Sequence, residues 1–161
     1  MEEDSSLDVG VSWINNLGDS NGFEDTVAGP LKDYVAAYSL HGVYRTGAWS
    51  FIGEYIAAIE DFQVGELGWK TDGAQASAYN LELGYDFEAF GGRESNVAFA
   101  LQGTEESVVL ELPEQKWLVG MSTMLYENTS LAIEYADDYS ISDGGTGKDG
   151  NAVTLQVAVE F

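Results

Sequence analysis

Apolar and polar residues alternate with a period of two through most of the 161-residue chain, and this pattern predicts β-strands. Near the N-terminus, Val9, Val11 and Trp13 share one side of such a segment, with small or polar residues between them. Similar segments recur at about 34–41, 49–60, 79–87, 96–102, 117–125, 131–136 and 153–161. No segment has convincing helical periodicity. The chain is therefore predicted to be all-β, with eight strands.

The predicted connections alternate in length. Short turns are expected at about 45–46, 88–94 and 127–129, and long loops at about 15–32, 61–74, 104–115 and 140–150. Residues 1–6 are predicted to form a polar N-terminal stub, and residues 7–161 to form the strands and loops of a barrel. An even antiparallel meander with long loops at one end and short turns at the other is typical of outer-membrane barrels.

The residue types on the two predicted faces favour a membrane barrel over a soluble β-sandwich or lipocalin-like barrel. One face carries large apolar residues; the other is rich in Gly, Ala and Ser, where a solvated face would carry long polar side chains. Aromatic residues near the strand ends fit the two membrane interfaces, in contact with outer-membrane lipid. These aromatics are Trp13, Tyr34, Trp49, Tyr79, Tyr85, Phe87, Trp117 and Tyr139.

The pattern thus predicts an antiparallel up-and-down transmembrane β-barrel in the outer membrane of a Gram-negative bacterium. The terminal Phe161, on a strand with apolar residues at every second position, resembles the C-terminal sorting signal of such barrels. We expect the barrel-assembly machinery to recognise the last strand through this residue. The N-terminal sequence MEEDSS is not a signal peptide, so we expect a fragment of a longer protein or the product of an internal start.

Composition changes this picture mainly through charge. The chain has 28 acidic and 6 basic residues, a net charge of −22, which disfavours nucleic-acid binding. The absence of cysteine excludes disulfides, cysteine-based zinc sites and thiol catalysis. The six Lys and Arg residues are expected in loops, turns or at strand ends. The polar face, by contrast, contains carboxylates that we predict to line a pore, namely Glu54, Glu82, Asp86, Glu134 and Glu160.

These carboxylates also bear on the size of the barrel. A closed eight-stranded barrel is just wide enough to be filled by side chains. Each unpaired carboxylate buried there would cost several kcal/mol. A wide, water-filled lumen removes that cost, so we expect the eight strands to be the C-terminal part of a larger barrel.

Three other features have simpler interpretations than a site. GGTGKDG (144–150) and DSNGFED (19–25) contain parts of calcium-binding patterns, but the first lacks tandem copies and the second lacks the usual spacing. We interpret them as a glycine-containing turn and an acidic loop. His41 lies near Ser39 without a matching Ser–His–acid trio. The sequence therefore predicts no enzyme, no cofactor and no metal site.

A set of ordered segments covers nearly the whole chain and resembles the C-terminal part of the siderophore-porin family typified by the legiobactin receptor. The resemblance implies an outer-membrane porin-like protein, associated in one lineage with ferric-siderophore uptake, and it implies no catalytic residue. The segments are GVSWINNLGDSNGFED (10–25), GEYIAA (53–58), AYNLELGYDFEAFGGRESNVAFALQGTEES (78–107), ELPEQ (111–115), NTSLAIEYADDYS (128–140), DGGTG (143–147) and TLQVAVEF (154–161).

The expected function is passive passage of small solutes, with a siderophore as the ligand that the resemblance implies. An acidic lumen favours cations and repels anions, whereas many ferric siderophores are anionic. The alternative is a structural or adhesive barrel closed at eight strands, whose acidic loops bind partners or divalent cations. A homo-oligomer is left open.

Overall fold

The computed structural model describes residues 5–19, 34–110, 112–139 and 150–159. No helix among these residues is long and apolar enough to cross a membrane. The described residues form strands and two short 3-10 turns, at Leu17–Asp19 and Val108–Leu110. The strands are β1 (Ser5–Ile14), β2 (Ala37–Thr46), β3 (Trp49–Ala58), β4 (Gly68–Trp69), β5 (Asp72–Gly73), β6 (Ser77–Ala89), β7 (Arg93–Glu105), β8 (Gln115–Tyr126), β9 (Thr129–Tyr139) and β10 (Gly150–Val159).

Eight of these strands form one antiparallel sheet in the order β1-β2-β3-β6-β7-β8-β9-β10. Every long strand pairs with its neighbour along the chain, so the sheet is a simple meander. The predicted all-β class and the eight antiparallel strands are confirmed. In the described residues β1 pairs only with β2 and β10 only with β9, so the sheet is not closed into a barrel.

The connections between the long strands alternate in length. The first turn lies at 47–48 and not at the predicted 45–46, because Arg45 and Thr46 are still paired with β3. Tight turns join β2 to β3, β6 to β7 and β8 to β9, and Phe90, Gly91 and Gly92 have positive φ angles (50°, 89° and 88°) in the second of them. The longer segments join β1 to β2, β3 to β6, β7 to β8 and β9 to β10. β1 begins at Ser5, inside the predicted polar stub. The hairpin of β4 and β5 was not predicted, because two-residue strands are too short to show a period.

One face of the sheet exposes its large apolar side chains. Val9 and Val11 are 69% and 76% exposed, and Val153 and Leu155 at the opposite edge are 69% and 67% exposed. The only other sheet in the described part of the chain is the β4–β5 hairpin, so no second layer of comparable size covers this face. We call it the apolar face. One aligned row across it is Leu7, Tyr44, Phe51, Leu83, Phe99, Val119, Tyr135 and Val153.

The buried hydrophobic cluster lies at the long-connection end and not between two sheets. We call it the loop cluster; its buried members are Val35, Ala58, Phe62, Leu67, Ala74 and Ala76. Backbone hydrogen bonds from Phe62 N to Ala74 O (2.9 Å) and from Ala74 N to Leu67 O (2.8 Å) hold the segment between β3 and β6. A Cβ at Gly73 would overlap the carbonyl of Phe62, so this segment packs too closely there for any side chain.

Replacing Phe62 by alanine tests the loop cluster. Phe62 is 2% exposed, and truncating a buried phenylalanine costs about 3 kcal/mol or more. We expect amide hydrogen exchange at Ala58 and Ala74 to accelerate by roughly 100-fold if they exchange by opening of this cluster. Phe90→Ala is the matched control, since Phe90 is 68% exposed in a turn. Unchanged exchange at Ala58 and Ala74 in Phe62→Ala would contradict the cluster.

Candidate functional site

The second face of the sheet carries polar side chains that the strand register aligns into a continuous row. We call this the polar row; one residue from each of seven neighbouring strands contributes to it. Because antiparallel partners point to the same side of a sheet, these side chains are neighbours in space. Its polar members are His41, Glu54, Asn80, Gln102, Lys116 and Asp138, and Gly10 of β1 occupies the end position without a side chain.

Hydrogen bonds run along the centre of the polar row. Asn80 Nδ2 donates to Glu54 Oε2 at 3.2 Å, and Gln102 Nε2 donates to Asn80 Oδ1 at 3.2 Å. Farther along, the ammonium of Lys116 lies 3.4 Å from Asp138 Oδ1. The row therefore has a carboxylate near one end, neutral amides in the middle and an ion pair at the other end.

His41 is placed by a glycine on the adjacent strand. A Cβ at Gly10 would overlap the imidazole ring, so the ring lies over the bare backbone of β1. There His41 Nε2 is 3.6 Å from Asp8 Oδ1, an ion pair whenever the imidazole is protonated. This contact, together with the bare backbone at Gly10, accounts for the position of the chain's single histidine.

A cavity of about 560 Å³ lies against the polar row. His41, Glu54, Asn80, Gln102 and Lys116 line it from the sheet. Ile56, Thr104, Leu112 and Pro113 also line it.

The segment before β8 is held at this cavity by Thr104. Thr104 Oγ1 donates to Pro113 O at 2.9 Å, and Thr104 N donates to Glu114 O at 3.1 Å. The connection between β7 and β8 thus forms part of the cavity wall.

A second cavity of similar volume, about 560 Å³, lies at the short-turn end of the sheet. Asp86, Glu88 and Glu94 line it together with Asn96 and Ser122. Asn96 Nδ2 donates to Asp86 Oδ1 at 2.7 Å, so an amide again neighbours a carboxylate of this face.

The structure places Glu54, Glu82, Asp86 and Glu134 on the same face, as the alternation requires, but in different cross-strand rows. They therefore do not meet as a single ring perpendicular to the strands. Glu160 lies outside the described residues.

Lys116 changes the charge pattern of this face. Like the other cations, it was expected in a loop, in a turn or at a strand end. It is the second residue of β8, and its ammonium lies in the polar row beside Asp138. Lys116 directly precedes Trp117, which lies on the apolar face, and adjacent residues of a strand point to opposite faces. This alternation could have assigned Lys116 to the polar face. The polar face therefore combines carboxylates with a cation among the strands.

The predicted interface aromatics fall into different surroundings. Trp49, Tyr85 and Phe87 form a contiguous group near the short turns, with ring centres 4.6 Å apart for Trp49–Tyr85 and 6.3 Å apart for Tyr85–Phe87. The ring centres of Trp117 and Tyr135 are 5.3 Å apart, and Tyr135 was not among the predicted interface aromatics.

The remaining predicted aromatics lie nearer the long connections. Trp13 is exposed at the end of β1, and Tyr34 is exposed just before β2. The ring of Tyr79 occupies the space that a side chain at Gly103 would need. Tyr139 is the last residue of β9, but its side chain lies outside the described part, as does Phe161.

No group of three or more His, Cys, Asp or Glu side chains in the described residues is arranged to hold a metal ion. Most of the two calcium-like segments, 20–25 and 144–149, lies outside the described ranges.

Together these features define an all-β chain whose eight-stranded antiparallel sheet has one apolar exposed face and one polar face. The chain is similar to a UPF0422 protein of Coxiella burnetii, with 28% identity over 97% of this chain and 37% of the relative. It is also similar to UPF0422 proteins of Legionella pneumophila, with 24% identity to that of strain Philadelphia 1 and 23% to that of strain Lens, over 100% of this chain and 36% of each relative. The chain thus spans little more than a third of the length of these relatives. No protein-family profile and no solved structure matches it.

Substituting Gly10 by valine tests the placement of His41. A side chain at Gly10 cannot share space with the imidazole, so we expect the ring to leave the vicinity of Asp8. Because the chain has one histidine, its imidazole NMR resonances report this change directly. Gly42→Ala is the control, since a Cβ there would meet Val9 Cγ1 at an ordinary 3.8 Å. Unaltered imidazole resonances in Gly10→Val would contradict the stacking.

Proposed function

We propose that this chain forms the C-terminal strands of an outer-membrane β-barrel that passes small solutes passively, as a porin does. The observation that carries the proposal is the pairing of an exposed apolar face with a polar face on one sheet. In a transmembrane barrel the first faces lipid and the second faces the lumen.

Lipid is the occupant that best suits the apolar face. Burying apolar surface gains about 25 cal/mol per Å², so a face of large aliphatic and aromatic side chains left in water would be unfavourable. Strands of ten to thirteen residues, as here, are long enough to cross a bilayer when tilted. The Trp49, Tyr85 and Phe87 group at the short-turn end fits an interfacial aromatic belt.

The free edges of β1 and β10 favour additional strands. An unpaired backbone N–H or C=O group in the bilayer core costs several kcal/mol, so neither edge is stable there without a partner. The relatives are nearly three times as long as the region that this chain matches. Further strands of a longer protein, inserted between β1 and β10, would satisfy both edges and widen the lumen around the polar face.

The resemblance to siderophore porins adds a solute class to this proposal. The net charge of −22 disfavours anionic ferric siderophores, because acidic groups near a pore repel anions. Neutral, cationic or zwitterionic solutes agree better with the charge.

A closed eight-stranded structural or adhesive barrel is the second candidate. It is favoured by the even meander and by the equal length of β1 and β10, ten residues each. Its lumen would be filled by side chains and would conduct little.

Arginine substitutions on adjacent residues of β6 test which face meets lipid. Leu83 lies on the apolar face and Glu82 on the polar face. We expect Leu83→Arg to lower the free energy of unfolding in liposomes by about 2–4 kcal/mol, the cost of an arginine facing the bilayer midplane. Glu82→Arg is the matched control and should change it far less. Equal effects, or a chain that stays monomeric without detergent, would argue for a soluble sheet.

Single-channel conductance in planar bilayers tests the lumen. We expect nanosiemens-scale steps with cation preference from the full-length protein, and a reduced preference after Glu82→Gln, because that substitution removes a lumen carboxylate. Asn80→Gln, which is neutral, serves as the control. Very low conductance would favour the closed structural barrel, and anion preference would overturn the pore-lining assignment.

A further inference from the structure

We propose that the cavity against the polar row binds a short zwitterionic peptide, with its amino group at Glu54 and its carboxylate at Lys116. The placement of this cavity in a transport path rests on the proposed porin function, whereas the binding itself follows from the geometry of the row. Glu54 and Lys116 both line the cavity, and the residues aligned between them, Asn80 and Gln102, are uncharged.

The spacing of the two charges selects the length of the ligand. Glu54 and Lys116 are separated by three steps between neighbouring strands, from β3 through β6 and β7 to β8. At about 4.8 Å per step, their backbones are roughly 14 Å apart. An extended peptide advances about 3.3–3.6 Å per residue, so four residues span this distance. Three residues span roughly 10–11 Å, and the flexible four-carbon stem of Lys116 can cover the remainder.

The amides between the charges match a peptide backbone. Each amide side chain has two N–H donors and one carbonyl acceptor. The bond from Asn80 to Glu54 uses one N–H of Asn80, and the bond from Gln102 to Asn80 uses one N–H of Gln102. These bonds fix the two amides in line, and their second N–H groups and the Gln102 carbonyl remain as matches for peptide C=O and N–H groups.

The cavity walls suit small apolar side chains. Ile56, Leu112 and Pro113 contribute apolar surface beside the polar floor. The volume of about 560 Å³ lies within the usual range for small-molecule sites, about 300–1,000 Å³.

The neighbouring charges define which solutes are disfavoured. Lys116 also lies beside Asp138, but both side chains are about one-third exposed, and an ammonium has three donors, so it can contact a second carboxylate. At the other end of the row, beside Glu54, His41 Nε2 lies 3.6 Å from Asp8 Oδ1. A simple anion meets the carboxylate of Glu54, a simple cation meets the ammonium of Lys116, and only a zwitterion gains at both ends.

Calorimetric titration of the protein in detergent micelles tests this site, with trialanine as the probe. We expect trialanine to bind, and N-acetyl-trialanine amide, which lacks both terminal charges, to bind at least about tenfold more weakly. Glu54→Gln and Lys116→Gln should each weaken trialanine binding by about tenfold. Glu94→Gln is the matched control, because Glu94 is also a carboxylate of the polar face but lines the second cavity, and it should leave affinity unchanged.

Exchanging the charges at positions 54 and 116 distinguishes a loss of the binding contacts from a general effect on folding. The double variant Glu54→Lys with Lys116→Glu retains opposite charges at the same spacing, so a peptide bound in the reverse direction should recover affinity relative to either single replacement. Equal affinity for free and blocked trialanine, or no binding by the folded protein, would overturn the proposal. Conductance of the same preparation separates the two ideas: a cation-selective pore without trialanine binding overturns only the peptide site, whereas trialanine binding without conductance overturns only the porin function.

Discussion

Antiparallel backbone hydrogen bonding between consecutive strands is the interaction on which the other features of this molecule depend. Each strand pairs with its neighbour along the chain, and the register aligns residues of one face across the sheet. Leu83 and Phe99 thereby meet on the apolar face, while Asn80 and Gln102 meet on the polar face. A one-residue slip would exchange the faces, so the register that holds the sheet together also creates the two contrasting surfaces.

The apolar side chains of this chain are divided between two roles. Most of the large ones on the strands lie on the apolar face, whereas those in the connections, such as Phe62 and Leu67, form the loop cluster. The buried cluster therefore supports the long-connection end of the sheet and does not serve as the core of a two-layer domain. This arrangement agrees with a protein whose strands have a solvent other than water on one side, as we propose.

The strands and faces were predictable because alternation is local: the side-chain period of two depends only on the backbone of each strand. The eight strands and the common face of Glu54, Glu82, Asp86 and Glu134 followed from it. The β4–β5 hairpin did not, since its short strands carry no period. The partnership of Lys116 with Asp138 also required the register, which depends on pairing between strands and not on either strand alone.

The sequence by itself determined the all-β class, the number of long strands and the contrast between the faces, because alternation and turn residues act over a few positions. Only the tertiary structure decided which residues meet across strands. It placed the imidazole of His41 over Gly10, joined Glu54, Asn80 and Gln102 into one hydrogen-bonded row and positioned Pro113 at the cavity beside them. These contacts join residues far apart in the chain, and strand pairing is the physical step that brings them within bonding distance.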